Sequence, residues 1–179
     1  MTARVFVDTN VFLYARDADE AIKRRRVLSW LEQLWRERAG RTSMQVLSEY
    51  YVNATRKLHP GMAPEDAWED VKALLTWDPV PVDAGLLERG REVERRYRLS
   101  WWDSLIVAAA QRQDCAVLLT EDLQDGASFG GTTVRSPFTL DVSEASARYR
   151  AEEPFDSHPK RGRPPLRAER AGMARGPKA

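Results

Sequence analysis

Apolar side chains recur along this chain with two different spacings, and the alternation between them outlines a fold. Val5-Phe6-Val7, between Arg4 and Asp8, is a short continuous run rich in β-branched residues, the pattern of a buried strand. Between Asp19 and Ala39, Val27, Leu28, Leu31, Leu34 and Trp35 recur at helical spacing, which predicts a helix capped by Asp19 and stopped at Gly40. Ser43 is placed to cap a second helix, Met44 to about Lys57. Pro64 suits the first turn of a third, whose apolar face holds Trp68, Val71, Leu74 and Leu75. Asp78-Pro79-Val80-Pro81-Val82 reads as a short strand, and its prolines assign it to a sheet edge. Asp83 caps a fourth helix to about Tyr97, and Ser100 a fifth, Trp101 to Gln113. Ala116-Val117-Leu118-Leu119-Thr120 is another buried strand. Gly126 and Gly130-Gly131 mark loops, and Thr132-Thr133-Val134-Arg135 is a last weak strand. Strands alternate with helices and lack two-sided polarity. That predicts an α/β fold with a mainly parallel sheet and helices on both faces.

Composition adds a boundary. The chain has 179 residues, 42% of them apolar, enough for one domain with a sizeable core. Its 28 basic and 27 acidic side chains leave a net charge of +1, which excludes a polybasic nucleic-acid coat over the whole molecule. Residues 151–179 differ: they hold five of the ten prolines, with 7 basic and 4 acidic side chains, net +3. The first 150 residues carry 21 basic and 23 acidic side chains, net −2. The expected organisation is a folded domain over 1–145 and a basic, proline-rich, disordered tail over 146–179. One cysteine, Cys115, excludes an intramolecular disulfide framework and a cysteine-cluster metal site. With no long apolar run and no signal-peptide layout, the expectation is a cytoplasmic protein without a membrane partner.

Four carboxylates stand out. In an open parallel sheet, ligands bind outside the carboxyl ends of the strands. Asp8 follows one apolar run there and Asp122 follows another, though either alone reads equally well as a turn or helix-cap aspartate. Glu49 lies inside a helix, with Gln45, Val46, Val52 and Asn53 as its neighbours at three and four residues, beside an apolar stripe. Asp103 opens a helix that is apolar almost all round, where the helix dipole favours an acid in the first turn. If the four converge, they repel and raise one another's pKa unless a cation neutralises them. Carboxylate oxygens suit Mg²⁺ (or Mn²⁺), whereas two histidines, His59 and His158, in a predicted loop and the tail, suit zinc badly. A dication held by carboxylates can activate water and stabilise charge on a phosphoryl oxygen, the chemistry of phosphodiester hydrolysis.

These residues resemble a known family. Val5-Phe6-Val7-Asp8-Thr9-Asn10 resembles the opening of PIN-domain ribonucleases, and Ser43-Met-Gln-Val-Leu-Ser-Glu49 looks like their second motif. Leu99-Ser-Trp-Trp-Asp103-Ser-Leu-Ile looks like the third. Leu119-Thr-Glu-Asp122-Leu-Gln-Asp125-Gly looks like the fourth, in the form found among toxins of the VapC type. The resemblance covers residues 4–140, with the motifs in order. It implies a three-layer α/β/α domain with about five strands and a Mg²⁺- or Mn²⁺-dependent endoribonuclease, the toxin of a type II toxin–antitoxin pair. It implies Asp8, Glu49, Asp103 and Asp122 as metal-binding, catalytic acids, with Thr9, Asn10, Ser43 and Thr120 positioning water or substrate. It also implies an RNA substrate, an antitoxin that blocks the site, and a homodimer. Glu121 and Asp125 compete with Asp122 for the fourth acidic role. The alternatives are an RNA-processing PIN nuclease without an antitoxin and a nucleic-acid-binding module on an inactive nuclease fold. A haloacid-dehalogenase phosphatase would want an aspartate where Asn10 stands.

Three further features bear on nucleic acid. Lys23-Arg24-Arg25-Arg26 reads as a solvated helix face or a phosphate-contacting run. Arg161-Gly162-Arg163-Pro164 in the tail resembles the core of an AT-hook, which assigns Arg161 and Arg163 to weak contact with a DNA minor groove. Of Trp101 and Trp102, at least one is expected in the core, and an exposed one could stack on a base.

Overall fold

The computed structural model describes residues 3–139. The expected boundary at 145/146, the tail, and Arg161 and Arg163 lie outside the described residues. Chain order is β1 (Val5–Val7), α1 (Thr9–Arg16), α2 (Ala21–Glu37), β2 (Gly40–Arg41) and α3 (Met44–Arg56). There follow α4 (Pro64–Leu74), α5 (Ala84–Tyr97), α6 (Trp101–Arg112), β3 (Val117–Leu119), β4 (Ser128–Phe129) and β5 (Thr132–Arg135). The five strands form one sheet in the order β2-β1-β3-β5-β4. All neighbouring pairs are parallel except the β4–β5 hairpin. The α/β fold with a mainly parallel sheet of five strands is the expected one.

Successive strand residues point to opposite faces, and every residue of β1 and β3 is buried. Helices therefore cover the sheet on both sides. They pack as two groups: α1 joins α2 and α3, α3 joins α4, and α5 pairs with α6, which lies against β3 and β5. Trp30, Tyr50, Phe6, Leu86, Leu118 and Leu119 are the largest fully buried side chains. Cys115 is also buried, and burial pushes its thiol up to about 12, so it stays protonated and unreactive.

The predicted caps at Ser43, Asp83 and Ser100 are present, each side chain accepting from a backbone amide three residues on. Three expectations change. Helix α1 has no counterpart among the predicted elements: its apolar positions crowd directly behind the strand, and its cap is Asp8 itself. Helix α2 starts one residue beyond the reach of a cap at Asp19: its N-cap position is Glu20, which makes no side-chain cap bond, and the Asp19 amide donates to Asp17 at 3.0 Å. It ends at Arg38 in the left-handed region, leaving Gly40 free to open β2. The predicted strand at 78–82 is reduced to one parallel bridge between Val80 and Ser43, since the flanking prolines have no N–H to extend a ladder. The arginines of α5 pair along their own helix, Arg89 with Glu92 and Arg91 with Glu94. Among the described residues, no helix is long and apolar enough to cross a membrane.

Gly40 is where sheet and helices meet most closely. A Cβ there would sit 2.4 Å from the Trp77 ring, which itself leans on Phe12 and Trp35. Gly40→Ala is expected to destabilise the chain by about 1–3 kcal/mol, because the indole is packed and cannot yield freely. Urea unfolding of the two proteins checks this. Equal midpoints would mean that the ring moves at no cost.

Candidate metal-binding and catalytic site

The chain connects β1 to β2 on one side and later places β3 on the other side of β1. The direction of winding thus reverses between β1 and β3, and a crevice opens outside their carboxyl ends. Asp8 follows β1 there, and Thr120 to Asp122 follow β3.

Asp8 caps α1, accepting from the Thr9 amide at 2.7 Å. Only 8% of it is exposed. Thr120, fully buried, donates its hydroxyl proton to Asp8 Oδ2 at 2.8 Å. The same hydroxyl oxygen accepts from Asn10 Nδ2 at 3.0 Å and from the Asp122 amide at 3.1 Å. Thr9 Oγ1 donates to Glu49 Oε2 at 3.3 Å, which ties α1 to α3. These bonds gather Asp8, Thr9, Asn10, Glu49, Thr120 and the backbone of Asp122 into one cluster.

Ser43 and Asp103 are held by bonds at their own helix termini. Buried Ser43 accepts from the Val46 amide at 3.3 Å and starts the helix that carries Glu49. The Ser100 hydroxyl accepts from the Asp103 amide at 3.1 Å and donates to the Asp103 carboxylate at 2.6 Å. Of the adjoining tryptophans, Trp101 packs against the core and Trp102 is exposed.

The competitors for the fourth acidic role are engaged elsewhere. Both Glu121 oxygens accept bonds, from Tyr14 and from Lys23. Asp125 accepts from the Ser136 amide and the Thr139 hydroxyl, each at 2.9 Å. Lys23 thereby leaves the solvated run in which the sequence placed it, while Arg24, Arg25 and Arg26 remain exposed.

Burial pushes the Asp8 carboxyl up to about 6. The bonds from Thr120 and the Thr9 amide oppose this by favouring the charged form, and the charges of Asp122 and Glu49 add to it. A cation is the natural counterweight. Among the described residues, no three Asp, Glu, His or Cys side chains are grouped as the ligands of an ion. The donor chemistry nonetheless fits a hard dication. Beside the carboxylates, Asn10 Oδ1 and Gln45 Oε1 are buried carbonyl oxygens with no hydrogen-bond partner.

A family model described as PIN domain matches residues 5–124. The chain belongs to the PIN-domain family. No curated protein matches it in sequence. Two solved structures share the PIN fold. A chain of a toxin–antitoxin complex from Klebsiella pneumoniae is 22% identical with a TM-score of 0.55, covering 76% of this chain and 99% of that one. A chain of FitAB bound to an IR36 DNA fragment is 20% identical with a TM-score of 0.60, covering 76% and 97%.

One residue bonded into this cluster was not among the expected site residues of the PIN domain. Gln45, one helical turn before Glu49, donates to Glu49 Oε1 at 3.0 Å. The four-residue spacing on one helix face was the available signal.

The raised Asp8 carboxyl has a consequence for stability. Its folded value, about 6, lies above the ordinary 3.8. Its contribution is therefore fully present below about pH 4 and is lost as pH rises through about 6. The difference corresponds to about 3 kcal/mol, reduced by the bonds that favour the anion and that an amide reproduces only in part. In metal-free buffer, Asp8→Asn is expected to stabilise the PIN domain by about 1–2 kcal/mol at pH 7.5 and to bring no gain at pH 4. Urea unfolding at the two pH values measures this. A variant less stable than wild type at pH 7.5 would contradict it.

Proposed function

We propose that this PIN domain is a Mg²⁺- or Mn²⁺-dependent endoribonuclease and the toxin of a type II toxin–antitoxin pair. The observation that carries the reading is Asp8: a buried carboxylate at the winding reversal of a parallel sheet, acted on by two further acids. Asp8, Glu49, Asp103 and Asp122 would hold the dication, which when bound activates water for attack on a phosphodiester and neutralises charge on the phosphoryl oxygens.

The other residues prepare that site. Thr120 and the Thr9 amide fix both oxygens of Asp8. Thr9 and Gln45 hold one oxygen each of Glu49. Ser43 and Ser100 start the helices from which Glu49 and Asp103 project. The unpaired carbonyl oxygen of Asn10 can accept a hydrogen bond from water or from a substrate hydroxyl, orienting it beside Asp8. No histidine is needed as a base.

Two features support an antitoxin partner. The two similar structures named above come from a toxin–antitoxin complex and a FitAB assembly. In this chain a cavity of about 450 Å³ opens between α1, α2 and α4, lined by Phe12, Leu28, Leu31, Trp35 and Leu74. At its polar edge Arg16 and the Tyr50 hydroxyl both bond Asp70. An apolar groove with a fixed polar end suits an amphipathic segment of a protein partner. Homodimerisation belongs to the same reading.

Purified protein, freed of partner, is expected to cut cellular RNA at discrete sites in Mg²⁺ or Mn²⁺. EDTA should abolish the cuts. Asp8→Asn and Asp103→Asn should each slow them at least about a hundredfold, the scale of a few kcal/mol of transition-state stabilisation. Cutting that survives both substitutions would contradict the site. A folded, metal-supplied chain that cuts nothing would contradict the activity.

A further inference from the structure

The stretch Thr120-Glu121-Asp122 leaves β3 at the edge of the sheet where Asp8 sits, and two sets of contacts fix it. On one side is the Thr120 hydroxyl, bonded to Asp8, Asn10 and the Asp122 amide. On the other side is Glu121. One of its oxygens accepts from the Tyr14 hydroxyl of α1, and the other accepts from Lys23 Nζ of α2 at 3.1 Å.

The ammonium of Lys23 is unusually confined for a surface lysine. It also donates to the Tyr14 hydroxyl oxygen at 3.0 Å. It lies 4.5 Å from the centroid of the Tyr14 ring and 5.3 Å from that of Phe138. Those two rings meet edge to face at 5.5 Å. An exposed ion pair alone contributes little, chiefly because two long side chains must be ordered to make it. Here a hydroxyl, a carboxylate and two ring faces converge on one ammonium position. The bonds to Tyr14 and Glu121 also favour the charged form of Lys23 and push its pKa up.

The consequence falls on Asp122. The two residues before it are both fixed, Thr120 to Asp8 and Glu121 to α1 and α2. Glu121, the nearest competing acid, has both oxygens occupied and is turned toward those helices, while the charge of Asp122 acts on Asp8.

We propose that Lys23, acting with Tyr14 through Glu121, is a positioning residue for Asp122. It fixes the loop after β3 so that Asp122, rather than Glu121, supplies the fourth carboxylate. The proposal rests on the dication site described under Proposed function. It assigns to Tyr14 of α1 and Lys23 of α2 a part in the site that no motif of the sequence carries.

The test uses the full chain, with Mn²⁺ as probe. The readouts are the Mn²⁺ dissociation constant, by calorimetry or paramagnetic resonance, and the melting temperature. Lys23→Met and Tyr14→Phe are each expected to weaken Mn²⁺ binding about tenfold, as loss of an orienting partner does at metal sites. The melting temperature should stay within about 3 °C, since the clamp lies at the surface. Lys23→Arg keeps the charge and donors and is expected to restore most of the affinity. In an Asp122→Asn background, Lys23→Met should have no further effect. Unchanged affinity in both Lys23→Met and Tyr14→Phe would overturn the clamp and leave the dication site standing. A loss that persists in full in the Asp122→Asn background would overturn it too. A wild-type chain that binds no Mn²⁺ would overturn both readings.

Discussion

Burying the Asp8 carboxylate at the carboxyl end of β1 costs free energy that the surrounding chain must offset. Desolvation and the charges of Asp122 and Glu49 push against ionisation, while the Thr9 amide and the Thr120 hydroxyl favour it. The second set does not balance the first, since the carboxyl remains at about 6, well above its ordinary value. Much of the architecture serves that one position. The β1–β3 pairing sets Asp8 beside Thr120, the cap of α1 supplies the amide, and α3 brings Glu49 within reach of Thr9. A position less stable than its neighbours, inside a core as close-packed as the one around Phe6 and Leu118, is what function at the expense of stability looks like.

The fold and the site share their supports. Thr120 directly follows a core strand and also bonds three members of the site. Ser43 caps a helix and bridges to Val80, and the helix it starts carries Gln45 and Glu49. The clamp of Tyr14, Lys23 and Glu121 joins two helices to the loop after β3. A substitution at any of these positions reaches the site through the backbone as well as through the side chain. Stability and activity measurements on such variants therefore belong together.

Much of this was legible in the sequence. The apolar runs at Val5–Val7 and Val117–Leu119 gave the two buried strands, and Ser43, Asp83 and Ser100 announced their helices by chemistry that works locally. What depended on distant partners was not legible. Helix α1 follows its strand without a spacer, so its short apolar run had no independent boundary. Spacing allowed four acids to converge, but only the sheet order shows why Asp8 and Asp122 share one edge. Lys23 looked like one of four solvated cations, because its partners Tyr14 and Glu121 lie 9 and 98 residues away. Gln45 could have been read from its spacing to Glu49, yet nothing in a sequence says that the face they share points into the site.

The central claim is that the acids around Asp8 await a cation. Its most direct test is the Asp8 carboxyl pKa, followed by carbon NMR through a pH titration with and without saturating Mg²⁺. Without the ion the account predicts a value of about 6. With it, a neighbouring dication favours the anion and the value should fall below about 4. A carboxyl that titrates near 6 in both conditions would contradict the account.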